Sequence, residues 1–127
     1  MSERRPNVVY YLCMHVDTQG GDLSPESEYV EVAVEVFRLL ADATRIRIVL
    51  ALRDGELSVN GLAEHVERSP AAVSQHLAKL RWGKLVRVRQ DGNKAFYRLT
   101  DEHAIRLVIE AIRKAEHAID EHPGHHA

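Results

Sequence analysis

Between Asp42 and Leu99 the apolar spacing changes from a helical period to strict alternation, and that change constrains the fold more than any other feature of the chain. Helical runs come first. Val30, Ala33, Val34, Phe37, Leu40 and Ala41 recur at helical spacing. Asp42 is placed to cap a second helix, Ala43 to Leu52, which Asp54-Gly55 ends. Ser58 caps a short third helix holding Leu62, Ala63 and Val66. Ser69-Pro70 opens a fourth, with proline at the first helical position, where its missing N–H costs nothing. Val73, Leu77 and Leu80 form the apolar face of that helix. Val86-Arg87-Val88-Arg89 then alternates, Asp91-Gly92-Asn93 supplies a tight turn, and Lys94 to Leu99 resumes an extended run with Phe96 and Tyr97. This is the pattern of a β-hairpin.

Thr100 is expected to cap a long last helix. In it Ile105, Val108, Ile112, Ala115 and Ile119 follow a 3-4-3-4 seam, with Ala104, Leu107 and Ala111 as a second stripe. The chain's own helices can cover one stripe; the other requires a second chain. The expected architecture is mostly α with a small β-hairpin, a winged helix-turn-helix that dimerises through its terminal helices. Residues 1–27 read as an N-terminal arm, strand-like from Val8 to Val16. Residues 28–121 read as the winged domain and 122–127 as a histidine-rich tail.

With 127 residues, 45% of them apolar and 28% charged, the chain suits one folded domain. Its one cysteine, Cys13, excludes an internal disulfide framework and a four-cysteine zinc site. No apolar run approaches the ~18 residues of a membrane span. The charged start is followed by too short an apolar run for a signal peptide, so a cytoplasmic protein with no membrane partner is expected. The net charge of −2 conceals an asymmetry. From Arg68 to Arg98 there are eight basic residues against one acid, whereas residues 22–42 carry six acids and one base. Cations concentrated in one structural unit make a footprint for phosphates.

Two short helices, a tight connection at Glu67-Arg68-Ser69 and a basic hairpin describe a unit that reads double-stranded DNA. Its fourth helix is the part to enter the major groove. Ser69 opens the candidate DNA-binding set, Ser74, Gln75 and His76 offer hydrogen bonds to base edges, and Lys79 and Arg81 suit phosphates. Arg87, Arg89 and Lys94 do the same on the hairpin. An enzyme is not expected. There is no phosphate-cradling glycine loop, and Ser74 with His76 cannot act as nucleophile and base two residues apart on one helix.

The segments LADATRIRIVLAL (40–52), LSVNGLAEHV (57–66), SPAAVSQHLAKLR (69–81) and DGNKAFYRLTDEH (91–103) resemble the ArsR/SmtB family of metal-responsive repressors. The similarity spans about residues 30–118. It implies a homodimer that holds an inverted-repeat operator when metal-free and releases it on binding metal, derepressing a metal-efflux gene. At the third helix, where soft-metal sensors of that family carry Cys-x-Cys, this chain has Ser58-Val59-Asn60, so no thiolate site lies there.

The last helix carries His103 and His117, 14 residues apart. They share a face but lie about 21 Å apart along the axis, too far for one ion within one chain. In two such helices paired antiparallel about a twofold axis, His103 faces residues 116–117 of the partner, which gives two symmetric sites. The family's zinc pattern matches at Asp101, His103 and His117, but Lys114 stands where a further donor belongs, against a four-ligand zinc site. His103, Glu116, His117, His125 and His126 resemble the ligand pattern of the family's actinobacterial nickel/cobalt-sensing branch, with Asp101, Glu102 and His122 as further candidate donors. Imidazole and carboxylate donors without sulfur suit six-coordinate Ni(II) or Co(II) better than zinc. Two alternatives stay open: the same repressor fold sensing zinc or a thiol signal at Cys13, and a nickel storage or delivery protein built on the histidine tail.

Overall fold

The computed structural model describes residues 22–120. Five α-helices and a small antiparallel sheet follow in the order α1 (Val30–Leu40), α2 (Ala43–Ala51), β1 (Leu57–Ser58), α3 (Val59–Val66), α4 (Pro70–Trp82), β2 (Val86–Asp91), β3 (Lys94–Leu99) and α5 (His103–Asp120). A single 3-10 turn, Leu52–Asp54, follows α2 and takes Leu52 out of the regular helix. The expected arm strand at Val8 to Val16, Cys13, and the tail histidines His122, His125 and His126 lie outside the described residues.

Three of the four expected caps form. The Asp42 carboxylate accepts from the Arg45 N–H at 3.0 Å, the Ser58 hydroxyl from Gly61 N–H at 3.1 Å, and the Ser69 hydroxyl from Ala72 N–H at 3.1 Å. Each satisfies a helix-start donor that has no partner inside the helix, a contribution of about 1 kcal/mol. Between α3 and α4 the chain turns at Glu67, which adopts the left-handed conformation (φ 54°) while its N–H donates to the Ala63 carbonyl. A second left-handed residue, Lys84 (φ 65°), leads out of α4 as Leu85 N–H returns to the Leu80 carbonyl.

The core lies where α2, α3 and α4 meet. Ile48, Val49, Leu62, Val73, Leu77 and Leu80 are its largest fully buried side chains. Burial of each contributes roughly 1.5–3 kcal/mol. At the end of α4, a Cβ built on Gly83 would lie 2.2 Å from Leu39 Cδ1, so the glycine lets α4 end directly against α1.

The hairpin forms as the alternation requires, with Asp91 opposite Lys94 and Val86 opposite Leu99. Gly92 takes φ 64° while Asn93 stays out of the positive region, the signature of a type II′ turn. The sheet has one strand more than the sequence pattern indicates. β1 pairs with β3 through Leu57–Tyr97 and Ser58–Phe96, giving the order β1-β3-β2. Two residues are too few to display an alternation, and only their pairing makes them a strand.

Two further expectations, at Thr100 and along the last helix, are corrected. Thr100 does not cap the last helix. Its N–H donates to the Leu85 carbonyl at 3.1 Å, tying it to the sheet, and Asp101 accepts from the His103 N–H at 2.8 Å instead. In α1 the spacing of Val30, Val34 and Phe37 marks the outer face: these three are exposed, while Val32 and Leu40 are buried and Val36 and Leu39 pack on the core. The seam of the last helix also splits. Ala104 and Val108 are buried and Ile105 packs on the core, but every residue from Glu110 to Asp120 is exposed, Ile112 and Ile119 included. α5 simply outruns the domain it starts on.

Candidate nucleic-acid interface

α4 is positioned by its apolar face. Val73, Leu77 and Leu80 are buried against the core, which turns the intervening positions outward. Ser74, Gln75, Lys79 and Arg81 are therefore exposed together on one side. Ser69 sits at the start of the helix, and its hydroxyl is engaged as the cap. Pro70 follows at the first helical position.

His76 departs from the exposed set. It is half-buried, and its Nδ1 accepts from Arg45 Nε at 3.1 Å. The same guanidinium donates through Nη1 to the Leu39 carbonyl at 3.2 Å. Arg45 is thus a cross-link between the end of α1 and the middle of α4. Sequence reasoning did not single out this residue. Its partners are 31 positions downstream and 6 upstream, and no local spacing connects them. Beside it, the backbone N–H of Arg45 bonded to Asp42 holds the Asp42 carboxyl below the ordinary aspartate range.

On the hairpin, Arg87 and Lys94 are exposed, as expected of phosphate contacts. Arg89 is exposed too but occupied. It hydrogen-bonds both oxygens of Glu56, lies 3.6 Å from Asp91 and sits 4.9 Å over the Phe96 ring. The Arg89 hydrogen bond draws the Glu56 carboxyl below the usual carboxylate range, and the guanidinium is held still more firmly protonated. Glu56 is a second residue that the sequence reading missed; nothing nearer than Arg89, 33 positions away, marks it.

The candidate metal donors fall at the two ends of α5. His103 occupies the first helical position and His117 the last turn, both exposed, with Glu116 exposed beside His117. Asp101 is held in its contact with the helix start, and Glu102 lies 3.7 Å from Arg106. Among the described residues no three His, Cys, Asp or Glu side chains converge on one point. No helix of the described residues is long and apolar enough to cross a membrane.

Comparison with known proteins agrees with this geometry. The family model of the bacterial regulatory protein, arsR family, matches residues 42–87, from the cap of α2 into the first strand of the hairpin. The chain is 52% identical over 113 residues to the HTH-type transcriptional regulator KmtR of Mycobacterium tuberculosis, covering 89% of this chain and 85% of that protein. Among solved structures, the antimony-specific transcriptional repressor AntR superposes with a TM-score of 0.67 at 36% identity, covering 81% of this chain and 93% of that one. A homodimeric winged helix-turn-helix DNA-binding domain from Mycobacterium bovis superposes with a TM-score of 0.64 at 25% identity, covering 79% and 96%. The capped helices, the winged fold and these likenesses together show that the chain belongs to the ArsR/SmtB family of bacterial transcriptional regulators, whose members here are DNA-binding proteins and not enzymes.

Proposed function

We propose that this protein is a homodimeric repressor that holds an inverted-repeat operator when metal-free and releases it on binding Ni(II) or Co(II), derepressing a metal-efflux gene. The observation that carries the proposal is the division of donors along α5. His103 and the Glu116-His117 pair are exposed at opposite ends of a helix whose residues Glu110 to Asp120 are all exposed. Two such helices pairing antiparallel bring His103 of each against Glu116 and His117 of the other, two sites per dimer. His125 and His126 complete each set, with Asp101, Glu102 and His122 nearby in sequence. All are nitrogen or oxygen donors, which suits nickel or cobalt in six-coordination. The homodimeric M. bovis neighbour supports pairing of two chains, and the identity with KmtR supports a transcriptional regulator.

Release needs only a difference in metal affinity between the DNA-bound and free geometries of the dimer; a coupling of about 1–3 kcal/mol is typical. In this scheme α4 lies in the major groove with Ser74 and Gln75 on base edges, while Lys79, Arg81, Arg87, Arg89 and Lys94 hold phosphates.

The test is operator binding with and without nickel at fixed ionic strength. His103→Ala is expected to abolish nickel-induced release while leaving metal-free affinity within a few-fold. Release that persists in this variant would move the sensor elsewhere in the chain.

A further inference from the structure

A guanidinium has donors only, so the His76 nitrogen that Arg45 addresses must be the acceptor of its imidazole ring. With Nδ1 committed as acceptor, the neutral ring carries its proton on Nε2. Arg45 thereby selects one of two tautomers on the helix that faces DNA. It is itself held from two sides, by its bond to the Leu39 carbonyl and by the Asp42 cap on its own N–H. Gly83, at the far end of α4, meets the same Leu39, so α4 is registered against the end of α1 at two points.

We propose that Arg45 is a positioning residue for DNA recognition: it locks His76 as the Nε2–H tautomer, so that α4 presents a fixed neutral donor, beside Gln75, to an acceptor on the DNA. Half-burial of His76 suits this role, since one ring edge meets Arg45 while the other is left for DNA. Phosphate contacts tolerate a mobile cation; reading a base acceptor requires a donor whose proton is already in place. The proposal rests on α4 being the helix that reads bases.

Two variants separate the ring's two tasks. His76→Asn keeps an acceptor near the Nδ1 position and loses the Nε2–H donor. Arg45→Gln removes the guanidinium that selects the tautomer. Binding is measured by anisotropy on a duplex enriched from a random pool by the wild-type protein, and on a shuffled duplex of equal composition. His76→Asn is expected to weaken binding to the enriched duplex about tenfold, the scale of one lost base contact, and Arg45→Gln about threefold, since the rings that keep the Nε2–H form still bind. Binding to the shuffled duplex should stay within twofold, with an unchanged salt slope. The double variant should be no worse than His76→Asn alone, because both substitutions act on the same interaction. Long-range 15N–1H correlation spectra should show His76 as the Nε2–H form in the wild type and a mixture of tautomers in Arg45→Gln.

An Nδ1–H signal in the wild type would overturn the proposal. So would an Arg45→Gln protein that weakens on both duplexes with a flatter salt slope, which makes Arg45 a phosphate contact. A lower melting temperature with discrimination intact makes it a structural tie only, and is equally contrary. Gln75→Ala serves as the separate arm: intact discrimination there removes α4 as the base-reading helix, whatever Arg45 does.

Discussion

Glu67 shows how one residue's backbone sets the helix-turn-helix. It occupies the left-handed region, φ 54° and ψ 50°, where an L side chain crowds the following carbonyl at a cost of roughly 1–2 kcal/mol. The turn demands that conformation because the Glu67 and Arg68 N–H groups both reach back to the Ala63 carbonyl, stopping α3 and redirecting the chain into the Ser69 cap. Nothing in the structure explains why a glutamate stands there. Glu67→Gly should therefore raise stability by about 0.5–1 kcal/mol, the relief of crowding outweighing the extra freedom of the unfolded chain. Urea unfolding is the measurement, read as a higher midpoint at constant slope; a lower midpoint would mean the glutamate side chain has an unseen stabilising role.

Among the elements, the wing has part of its charge spent on a distant segment of the chain. Glu56, just ahead of β1, neutralises Arg89 on β2, and the pair ties the hairpin back to the segment that starts the sheet. Glu56→Gln should free Arg89 for phosphate. Affinity for any duplex should rise several-fold at low salt, and the slope of log affinity against log salt should steepen by up to about one per chain. Anisotropy titrations from low to moderate salt would show this; an unchanged slope would mean Arg89 does not reach DNA. The same pair bears on acid stability. The Glu56 carboxyl is depressed on folding, so its contribution is present above the ordinary carboxylate value of about 4 and is lost as pH falls through the lower, folded value. The acid limb of the stability curve should be shallower in Glu56→Gln, and only slightly, because an exposed pair is well screened.

At the scale of the whole molecule, the described residues leave large apolar side chains exposed. Val30, Phe37 and Ile119 are 47%, 57% and 54% exposed, on the two helices at the ends of the described fold. Apolar exposure of this kind suits the subunit interface proposed above. Ile112→Asp would place a carboxylate in the seam between two copies, a cost of several kcal/mol if it stays buried and unpaired. The expected product is a folded monomer by sedimentation, with native helix content and weak operator binding. A variant that remains dimeric with unchanged affinity would place the interface elsewhere.

The helices, their three caps, the hairpin and its Gly92 turn were legible in the sequence because each depends on residues within about four positions of one another. The exposed set on α4 was legible for the same reason: Val73, Leu77 and Leu80 define an inner face, and Ser74, Gln75, Lys79 and Arg81 follow as the outer one. Tertiary structure decided everything that depended on distant partners. β1 exists only through its pairing with β3, and Thr100 is drawn from the helix cap by Leu85. Arg89 is bound by Glu56, and one ring nitrogen of His76 is engaged by Arg45. Which face of α1 and which half of α5 lie bare was also decided there. Periodicity locates an apolar stripe on a helix, but what the stripe meets depends on where the remaining elements end in space.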